Sequence, residues 1–484
     1  MIGAVSTEAQ DLQQTRVVIL GGGPGGYEAA LVARRWGADV TIVERQGLGG
    51  AAVLTDVVPS KTLIATAEWM TRFGHAEEFG IRPADDTIGM VEDANDVIRV
   101  DLDVVNKRVL GLAAAQSADI RGRLERVGVR IVVGSGRLDG VQRVVVEGVG
   151  PDDAREVLDA DVILVSTGAT PRVLPAGQPD GERILTWTQL YNLTALPERL
   201  IVVGSGVTGA EFAGAYNALG ADVVLISSRD RVLPGEDPDA AAVIEEVFKD
   251  RGMEVMSRSR AKSAVRTDDG VEVTLEDGRT VRGSHVLLAL GSIPNTAGIG
   301  LEEAGVRLGD GGHIKVDRVS RTSARGVYAA GDCTTGLPLA SVAAMQGRIA
   351  MAHALGDTVS PLDPATVCAT IFTTPEIATV GYNEDQLKAV GTAYLVSMLP
   401  LKGNPRAKML GLQYGFVKLY AHSVTGVLLG GVVVAHRASE LIFPITLAFA
   451  HRLTADEVAE SFTVYPSLSG TVAEVARMLH KHRD

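Results

Sequence analysis

The sequence has few of the residues on which several classes of protein depend. Its 484 residues include two cysteines, and aromatic residues make up 4% of the chain. Cys333 and Cys368 show no CxxC spacing, so we expect no disulfide framework and no metal site, and a cytoplasmic location. Acidic residues outnumber basic ones, giving a net charge of −13. Together with the scarcity of aromatic side chains for base stacking, this charge argues against binding to nucleic acid.

Long apolar runs are also missing. The longest, residues 424–435, contains three glycines and is shorter than the roughly 20 residues that cross a bilayer. It predicts a buried strand with a turn, and we expect no membrane insertion. Residues 1–14 lack the basic start and apolar core of a secretory signal and are interpreted as a disordered lead-in. The remaining length predicts about three domains at roughly 150 residues each.

Two segments repeat the order of strand, glycine-rich turn and helix that binds dinucleotides. In the first, the apolar strand at 16–20 precedes a GxGxxG turn at 21–26, and a second strand ends at Glu44. In the second, the strand at 200–203 precedes a GxGxxG turn at 204–209. The glycines permit a tight turn, the helix N-terminus favours a pyrophosphate, and a carboxylate such as Glu44 accepts hydrogen bonds from a ribose. Two such units in one chain favour a flavin and a nicotinamide as the two ligands.

The second unit has no carboxylate where the first has Glu44. Its second strand, at 222–226, is followed by Ser227, Ser228 and Arg229. No negative charge at this point repels a 2′-phosphate, and Arg229 or Arg231 can bind one. We therefore expect NADPH to be accepted alongside NADH. The alternative is that these arginines are solvated surface charges.

Several further runs resemble the flavoprotein disulfide reductase family, which includes lipoamide dehydrogenase, glutathione reductase and mercuric reductase. They are STG at 166–168, GSIPN at 291–295, TSARGVYAAGD at 322–332 and TTPEI at 373–377. The resemblance implies an α/β fold with two Rossmann-like dinucleotide-binding domains and a C-terminal α+β dimerisation domain, and hence a homodimer. It predicts an FAD-binding domain at 15–170, an NAD(P)-binding domain at 171–291, an FAD-binding return segment at 292–358 and a dimerisation domain at 359–484.

The run from Gly49 to Lys61 resembles the redox-active disulfide motif of that family with both cysteines replaced. The family motif is roughly GGTCxNxGCxPSK, and Ala52 and Val57 stand at its cysteine positions. Neither side chain can form a thiolate or a mixed disulfide. Cys333 has no His or second Cys beside it, and we interpret it as a buried structural thiol.

The C-terminal segment departs from the family in the same way. The family has HPTxxE, in which the His is the acid-base catalyst and the Glu orients it, whereas this chain has Tyr465 and Gly470 at those positions. A phenol keeps its proton at neutral pH and is a poor substitute for imidazole as a base. Tyr465 is interpreted either as a hydrogen-bond donor to a carbonyl oxygen or as an aromatic residue that packs in the dimer interface.

The resemblance also implies the roles of individual residues. Lys61 would lie near flavin N5, paired with Glu211, where a cation stabilises charge that develops during hydride transfer; the alternative is an interdomain salt bridge without that role. Asp332 would bind the ribitol of FAD. A helix beginning near Leu339 would direct its N-terminus at the flavin pyrimidine ring, or would be a plain core helix.

The candidate catalytic residues are therefore Lys61, Glu211 and Tyr465. The candidate cofactor-binding residues are Gly21, Gly23, Gly25, Gly26, Glu44, Arg45, Gly50, Lys61, Thr167, Gly168, Gly204, Gly206, Val207, Thr208, Gly209, Glu211, Ser227, Ser228, Arg229, Gly291, Asp332, Leu339, Ala340 and Ser341.

The sequence thus predicts an FAD-dependent NAD(P)H dehydrogenase that passes hydride from NADPH or NADH through FAD to a diffusible acceptor, with no disulfide reductase activity. The acceptor is predicted to be a quinone, because quinones take two electrons without a nucleophile and Ala52 and Val57 leave apolar space. Within the family, the chain resembles the lipoamide-dehydrogenase-like NAD(P)H:quinone reductases. The alternatives are a reductase of another small acceptor and an FAD-binding scaffold or regulatory protein without turnover.

Overall fold

The computed structural model describes residues 14–82, 98–149 and 154–480, so the predicted lead-in lies outside the described residues except for Gln14. The helices are α1 (Pro24–Arg35), α2 (Gly50–Leu54), α3 (Val57–Gly74), α4 (Leu102–Arg126), α5 (Val207–Ala218), α6 (Pro238–Asp250), α7 (Ala340–Ala354), α8 (Glu384–Ala389), α9 (Pro405–Met409), α10 (Ala438–Ala450), α11 (Ala455–Glu460) and α12 (Gly470–Met478). The strands are β1 (Arg16–Leu20), β2 (Asp39–Glu44), β3 (Arg130–Val133), β4 (Ser135–Leu138), β5 (Arg143–Val149), β6 (Ala154–Asp159), β7 (Val162–Val165), β8 (Ala169–Pro171), β9 (Ile184–Thr186), β10 (Arg199–Val203), β11 (Asp222–Ile226), β12 (Glu254–Met256), β13 (Ala261–Arg266), β14 (Val271–Leu275), β15 (Thr280–Gly283), β16 (His285–Leu288), β17 (Ser292–Pro294), β18 (Val327–Ala329), β19 (Ala369–Ile371), β20 (Glu376–Gly381), β21 (Tyr394–Pro400), β22 (Phe416–His422) and β23 (Leu428–Ala435).

The chain forms two compact units, each assembled from three segments. The first unit consists of Met1–Leu54, Ala114–Thr170 and Ile293–Leu362, and the second of Thr55–Ala113, Pro171–Ser292 and Asp363–Asp484. Residues 55–113 belong to the second unit, although the boundaries drawn from the sequence place them in the FAD-binding domain. That division into three functional domains and an FAD-binding return segment stays a prediction.

The first unit is built around a parallel sheet with strand order β18-β7-β1-β2-β3. Its central strands are nearly continuous apolar runs, as expected for parallel strands covered on both faces, and Val18 and Ile163 pair across β1 and β7. Helices α1 and α7 pack together. A Cβ atom at Gly347 would lie 2.1 Å from the carbonyl oxygen of Gly25, so the absence of a side chain allows this close crossing. An antiparallel sheet, β4-β5-β6, completes the unit.

The second unit contains a parallel sheet of order β12-β11-β10-β16-β9 and an antiparallel sheet, β13-β14-β15. Its last segment forms an antiparallel sheet of order β19-β20-β23-β22-β21, against which α10 and α12 pack. The predicted buried strand within 424–435 is confirmed, since β23 is buried along nearly its whole length. The mixed α/β fold class is confirmed as well. No helix in the described part of the chain is long and apolar enough to span a membrane.

Candidate active site

The first glycine-rich turn joins β1 to α1 in the order predicted from the sequence. Gly21 has φ +97°, and a Cβ atom at Gly26 would lie 1.9 Å from the carbonyl oxygen of Gly21. Only glycines permit so tight a return of the chain. Gly23 caps α1 without a side-chain hydrogen bond, so the first N–H groups of the helix are available to a phosphate.

Glu44, at the end of β2, is held against this turn. One carboxylate oxygen accepts a hydrogen bond from the N–H of Gly22 at 2.7 Å. The other accepts from the N–H groups of Gln46 at 2.7 Å and Gly47 at 3.2 Å. A carboxylate has about four lone-pair sites, so Glu44 can still accept a hydrogen bond from a ribose hydroxyl. The adjoining Arg45 is exposed.

The loop that precedes the altered disulfide motif also closes on this turn. The N–H of Gly49 donates to the carbonyl oxygen of Gly22 at 2.8 Å. A Cβ atom at Gly50 would lie 2.9 Å from the Cα of Gly23, so a side chain there would push the two loops apart.

Asn295 fixes the turn at Thr167 and Gly168 in the same unit. The side-chain amide of Asn295 donates to the carbonyl oxygen of Thr167 at 2.9 Å, and the Thr167 hydroxyl donates to that of Asn295 at 2.7 Å. The N–H of Asn295 donates to Gly168. These bonds join two runs that are far apart in the sequence, and they engage both the hydroxyl and the carbonyl oxygen of Thr167.

Asp332 and the start of α7 fit the ribitol and ring portions of a flavin. Burial raises the pKa of the Asp332 carboxyl, and that carboxylate accepts no hydrogen bond from any residue that the structure describes. A ribitol hydroxyl would supply the missing donor. The predicted helix start is confirmed, because α7 begins at Ala340 with Leu339 as its N-cap. Leu339 cannot cap the helix with its side chain, so the N–H groups of Ala340 and Ser341 are not satisfied within the helix.

The second glycine-rich turn has the same construction between β10 and α5. Gly204 has φ +111°, and a Cβ atom at Gly209 would lie 1.7 Å from its carbonyl oxygen. Gly206 faces open space, and α5 begins at Val207 and Thr208 without a side-chain cap. Gly291, at the return of the chain from this sheet, has φ +81° and accepts a hydrogen bond from the N–H of Arg172.

Two of the candidates at the end of β11 point into the protein. Ser227 is completely buried, and its hydroxyl lies 2.7 Å from that of Ser205. The guanidinium of Arg231 donates to the carbonyl oxygens of Pro234 and Glu236 at 3.3 and 3.5 Å. Both side chains therefore shape the loop after β11, and Ser228 and Arg229 remain as the exposed polar candidates.

The structure adds Arg258 to this group. Its N–H donates to the carbonyl oxygen of Arg229 at 2.7 Å, and its φ is +52°. Both arginines are exposed, and neither guanidinium has an ion-pair partner among the described residues. Sequence reasoning missed Arg258 because it follows β12, a neighbour of β11 in the sheet but distant in the chain. The strand order was the signal needed to find it.

Lys61 and Glu211 form an ion pair within the second unit. Lys61 Nζ lies 2.8 Å from Glu211 Oε2, and their side chains are 26% and 3% exposed. The other carboxylate oxygen of Glu211 accepts a hydrogen bond from the N–H of Phe372 at 2.8 Å. Lys61 Nζ also lies 5.0 Å from the centre of the Phe372 ring, within the range of a cation–π interaction. Each carboxylate oxygen of Glu211 thus has a partner, while the ammonium group keeps donors to spare. Phe372 was not predicted, although it directly precedes the TTPEI run.

The positions of the missing cysteines lie on two consecutive helices. Ala52 is in α2, and Val57 is the first residue of α3. Cys333 is fully buried, and burial raises its pKa to about 11. The predicted burial of Cys333 is confirmed, and with this pKa its thiol stays protonated at neutral pH.

The C-terminal segment presents apolar side chains to solvent in the isolated chain. Tyr465 is 82% exposed, and Phe462 and Val464 before it are also exposed. Gly470 begins α12. The structure thus keeps the phenol free for a contact outside this chain.

Comparisons with known proteins identify the family of this chain. A family model described as pyridine nucleotide-disulphide oxidoreductase matches residues 15–347, and the model of the family's dimerisation domain matches residues 367–476. A curated Mycobacterium tuberculosis protein named NAD(P)H dehydrogenase (quinone) is 53% identical over 477 residues, which cover 97% of this chain and 95% of that protein. The dihydrolipoyl dehydrogenase of Geobacillus stearothermophilus is 33% identical over 469 residues, 96% of each chain.

Solved structures agree with these matches. The crystal structure of LpdA from Mycobacterium tuberculosis superposes with a TM-score of 0.90 at 52% identity, covering 96% of this chain and all of that one. The HOCl-induced flavoprotein disulfide reductase RclA from Escherichia coli, at 22% identity and a TM-score of 0.83 over 96% of this chain, shares the fold. The resemblance seen in the sequence is confirmed: the chain belongs to the pyridine nucleotide-disulphide oxidoreductase family, which uses FAD and NAD(P)H.

Proposed function

We propose that this protein is an NAD(P)H dehydrogenase that reduces a quinone. One observation carries the proposal: the ion pair of Lys61 with Glu211 is intact, while Ala52 and Val57 replace the sulfur atoms of the family motif. The machinery for nicotinamide oxidation is retained without that for disulfide exchange. The name of the M. tuberculosis relative supports the same acceptor. In the net reaction, NAD(P)H, a proton and a quinone give NAD(P)⁺ and a quinol.

The residues of the first unit have the chemistry needed to hold FAD. The turn at Gly21–Gly26 would offer N–H groups to the pyrophosphate, Glu44 would accept from a ribose, and Asp332 would accept from the ribitol. When bound, FAD would supply the two-electron redox chemistry between the nicotinamide and the acceptor. The uncapped start of α7 presents its positive end, which favours negative charge on a neighbouring group.

The absence of a reactive thiol limits the acceptor. Cys333 is buried and protonated, and Tyr465 and Gly470 replace the residues that cycle a thiol proton in the family. A quinone needs no attacking nucleophile. The chain's own contribution is then to orient the two reactants, exclude water and hold positive charge at Lys61.

An anaerobic titration tests this function. NADPH should bleach the visible absorption of the bound flavin, and addition of a quinone should restore it, whereas lipoamide and glutathione disulfide should not. Turnover with the quinone should survive treatment with iodoacetamide. A flavin that stays oxidised in the presence of NADPH would identify a scaffold without turnover. Reoxidation by a disulfide, or loss of turnover on alkylation of a folded protein, would contradict the thiol-free mechanism.

Nucleotide choice is proposed to depend on the two arginines after β11 and β12. Arg229→Ala and Arg258→Ala should each lower kcat/KM for NADPH by about tenfold or more, because a hydrogen bond to a charged group contributes about 1.5–3 kcal/mol. The value for NADH should change by less than about twofold, since NADH has no 2′-phosphate and loses no such contact.

Lys262→Ala is the matched control for the arginine variants. Lys262 is an exposed cation on β13 of the same unit, and its removal should leave the preference for NADPH over NADH unchanged. Equal losses for the two nucleotides in the arginine variants would remove the assignment of a 2′-phosphate site.

We propose a homodimer in which Tyr465 completes the partner's site. The match to the dimerisation domain and the exposure of Phe462, Val464 and Tyr465 support this arrangement. Sedimentation should give twice the 50.8 kDa chain mass, and Tyr465→Glu should shift the protein toward monomer by placing a charge in an apolar contact. A wild-type monomer at micromolar concentration would contradict the proposal.

A further inference from the structure

A cavity lined by several basic side chains lies in the first unit, away from the glycine-rich turn. Its volume is about 680 Å³, and its lining includes Arg307, Lys315, Arg321, Arg325 and His353. Gly326 and Val327 of the lining stand at the beginning of β18, which runs parallel to β7 and β1. The dinucleotide turn follows the other end of β1. The cavity is therefore at the amino edge of the sheet, opposite the carboxyl edge where the family binds FAD.

Positive charge dominates this cavity, although the whole chain carries a net charge of −13. Four arginine and lysine side chains line it, with Asp317 as the one acidic residue among the lining residues. Asp317 pairs with Arg321, their Oδ2 and Nε atoms being 2.7 Å apart. Arg307, Lys315 and Arg325 have no ion-pair partner within the described ranges of the chain. The three unpaired cations give the cavity a net positive charge, which favours a bound anion.

Tyr328 and His353 add a neutral hydrogen-bonding group to the wall. The Tyr328 hydroxyl lies 2.9 Å from His353 Nδ1, and burial raises the pKa of the phenol. A protonated phenol can donate to Nδ1, which then leaves the proton of the neutral imidazole on Nε2 as a donor. Since Tyr328 is buried, its ring offers no open face on which a base could stack.

We propose that this cavity binds a small anion that carries a diphosphate group. A guanidinium group can bind two phosphate oxygens through two parallel hydrogen bonds. The cavity volume falls within the range of roughly 300–1,000 Å³ that is typical of small-molecule sites. Several separated cations suit an extended anion with more than one charged group better than a single monovalent ion. The cavity is lined entirely by residues of the first unit, and the proposal is independent of the function proposed above.

Calorimetry on the FAD-loaded protein tests the site. Saturating NADP⁺ is present throughout, so that the nicotinamide site is filled. Inorganic pyrophosphate should bind, and the double variant Arg307→Ala/Arg325→Ala should raise its Kd at least tenfold. Arg155→Ala should leave the Kd within twofold, because Arg155 is an exposed cation on β6 of the same unit outside the cavity. Retained flavin absorption in each variant verifies the fold.

A second titration separates the two sources of the diphosphate group. ADP that binds at least tenfold more tightly than pyrophosphate identifies a nucleoside diphosphate as the ligand, and equal affinities identify the diphosphate group alone. If neither ADP nor pyrophosphate binds to the wild-type protein, the proposal is overturned. Binding that is unchanged in the double variant also overturns it, because the anion is then held elsewhere.

Discussion

Lys418→Met should lower the free energy of unfolding of the second unit by about 3–5 kcal/mol, as expected when one partner of a buried ion pair is removed. Lys418 on β22 and Asp237 before α6 have side chains that are each 4% exposed. Lys418 Nζ lies 2.8 Å from both carboxylate oxygens of Asp237. The Tyr420 hydroxyl donates to the same carboxylate at 3.1 Å. Without the lysine, Asp237 would retain a buried negative charge without its cation.

A double variant distinguishes the unpaired charge from lost packing. Asp237 also caps α6 by accepting hydrogen bonds from the N–H groups of Asp239 and Ala240, and asparagine can do the same. Lys418→Met/Asp237→Asn should therefore recover much of the stability lost in Lys418→Met. Chemical denaturation of the FAD-loaded proteins measures both changes. Equal midpoints for Lys418→Met and the wild type would show that the pair is not held out of water.

Lys61→Met should slow reduction of the bound flavin by NADPH roughly 10²-fold, the effect of removing one group that stabilises developing charge. Lys61 is the member of the retained ion pair that keeps hydrogen-bond donors to spare, because its ammonium group has three N–H donors and uses one of them on Glu211. Anaerobic stopped-flow absorption measures this step. Lys61→Arg, which keeps the charge, should retain more of the rate than Lys61→Met.

The buried partner provides the control for this variant. Lys61→Met leaves Glu211 charged at 3% exposure, which by itself disturbs the site. In Lys61→Met/Glu211→Gln that charge is removed and the glutamine oxygen can still accept from Phe372. Slow reduction in both variants supports a direct role for the ammonium group. If the flavin of the double variant is reduced at the wild-type rate, Lys61 serves only as a counter-ion of Glu211.

The order of strand, glycine-rich turn and helix in each dinucleotide-binding unit could be predicted, because it depends on local sequence patterns. Apolar runs predict β1 and β10, glycines at fixed spacing predict the turns, and the start of α7 was placed correctly near Leu339. Disulfide exchange at residues 52 and 57 could also be excluded from the sequence alone, because neither residue is a cysteine. Residue type alone determines whether a thiolate can form.

The loop after β11 shows where local patterns are insufficient. The sequence presents Ser227 and Arg229 as candidates, with Arg231 as an alternative to Arg229, but the structure buries Ser227 and uses Arg231 to hold backbone carbonyls. It also joins Arg258 to Arg229 through neighbouring strands. Burial and side-chain direction depend on the strands that flank β11, and no periodicity in the loop encodes them.

The sequence by itself determined the two glycine-rich turns and the loss of thiol chemistry, and its resemblance to the family implied the fold class and the candidate pair Lys61 and Glu211. Only the tertiary structure decided which polar groups have partners. The N–H of Phe372 donates to Glu211, and Lys418 pairs with Asp237. Three cations around the cavity at the start of β18 are left unpaired among the described residues. The physical reason is that hydrogen bonds and ion pairs act over a few ångströms, whereas these partners are separated by long stretches of chain. Strand order brings them together, and that order arises from packing of the whole unit rather than from any one segment.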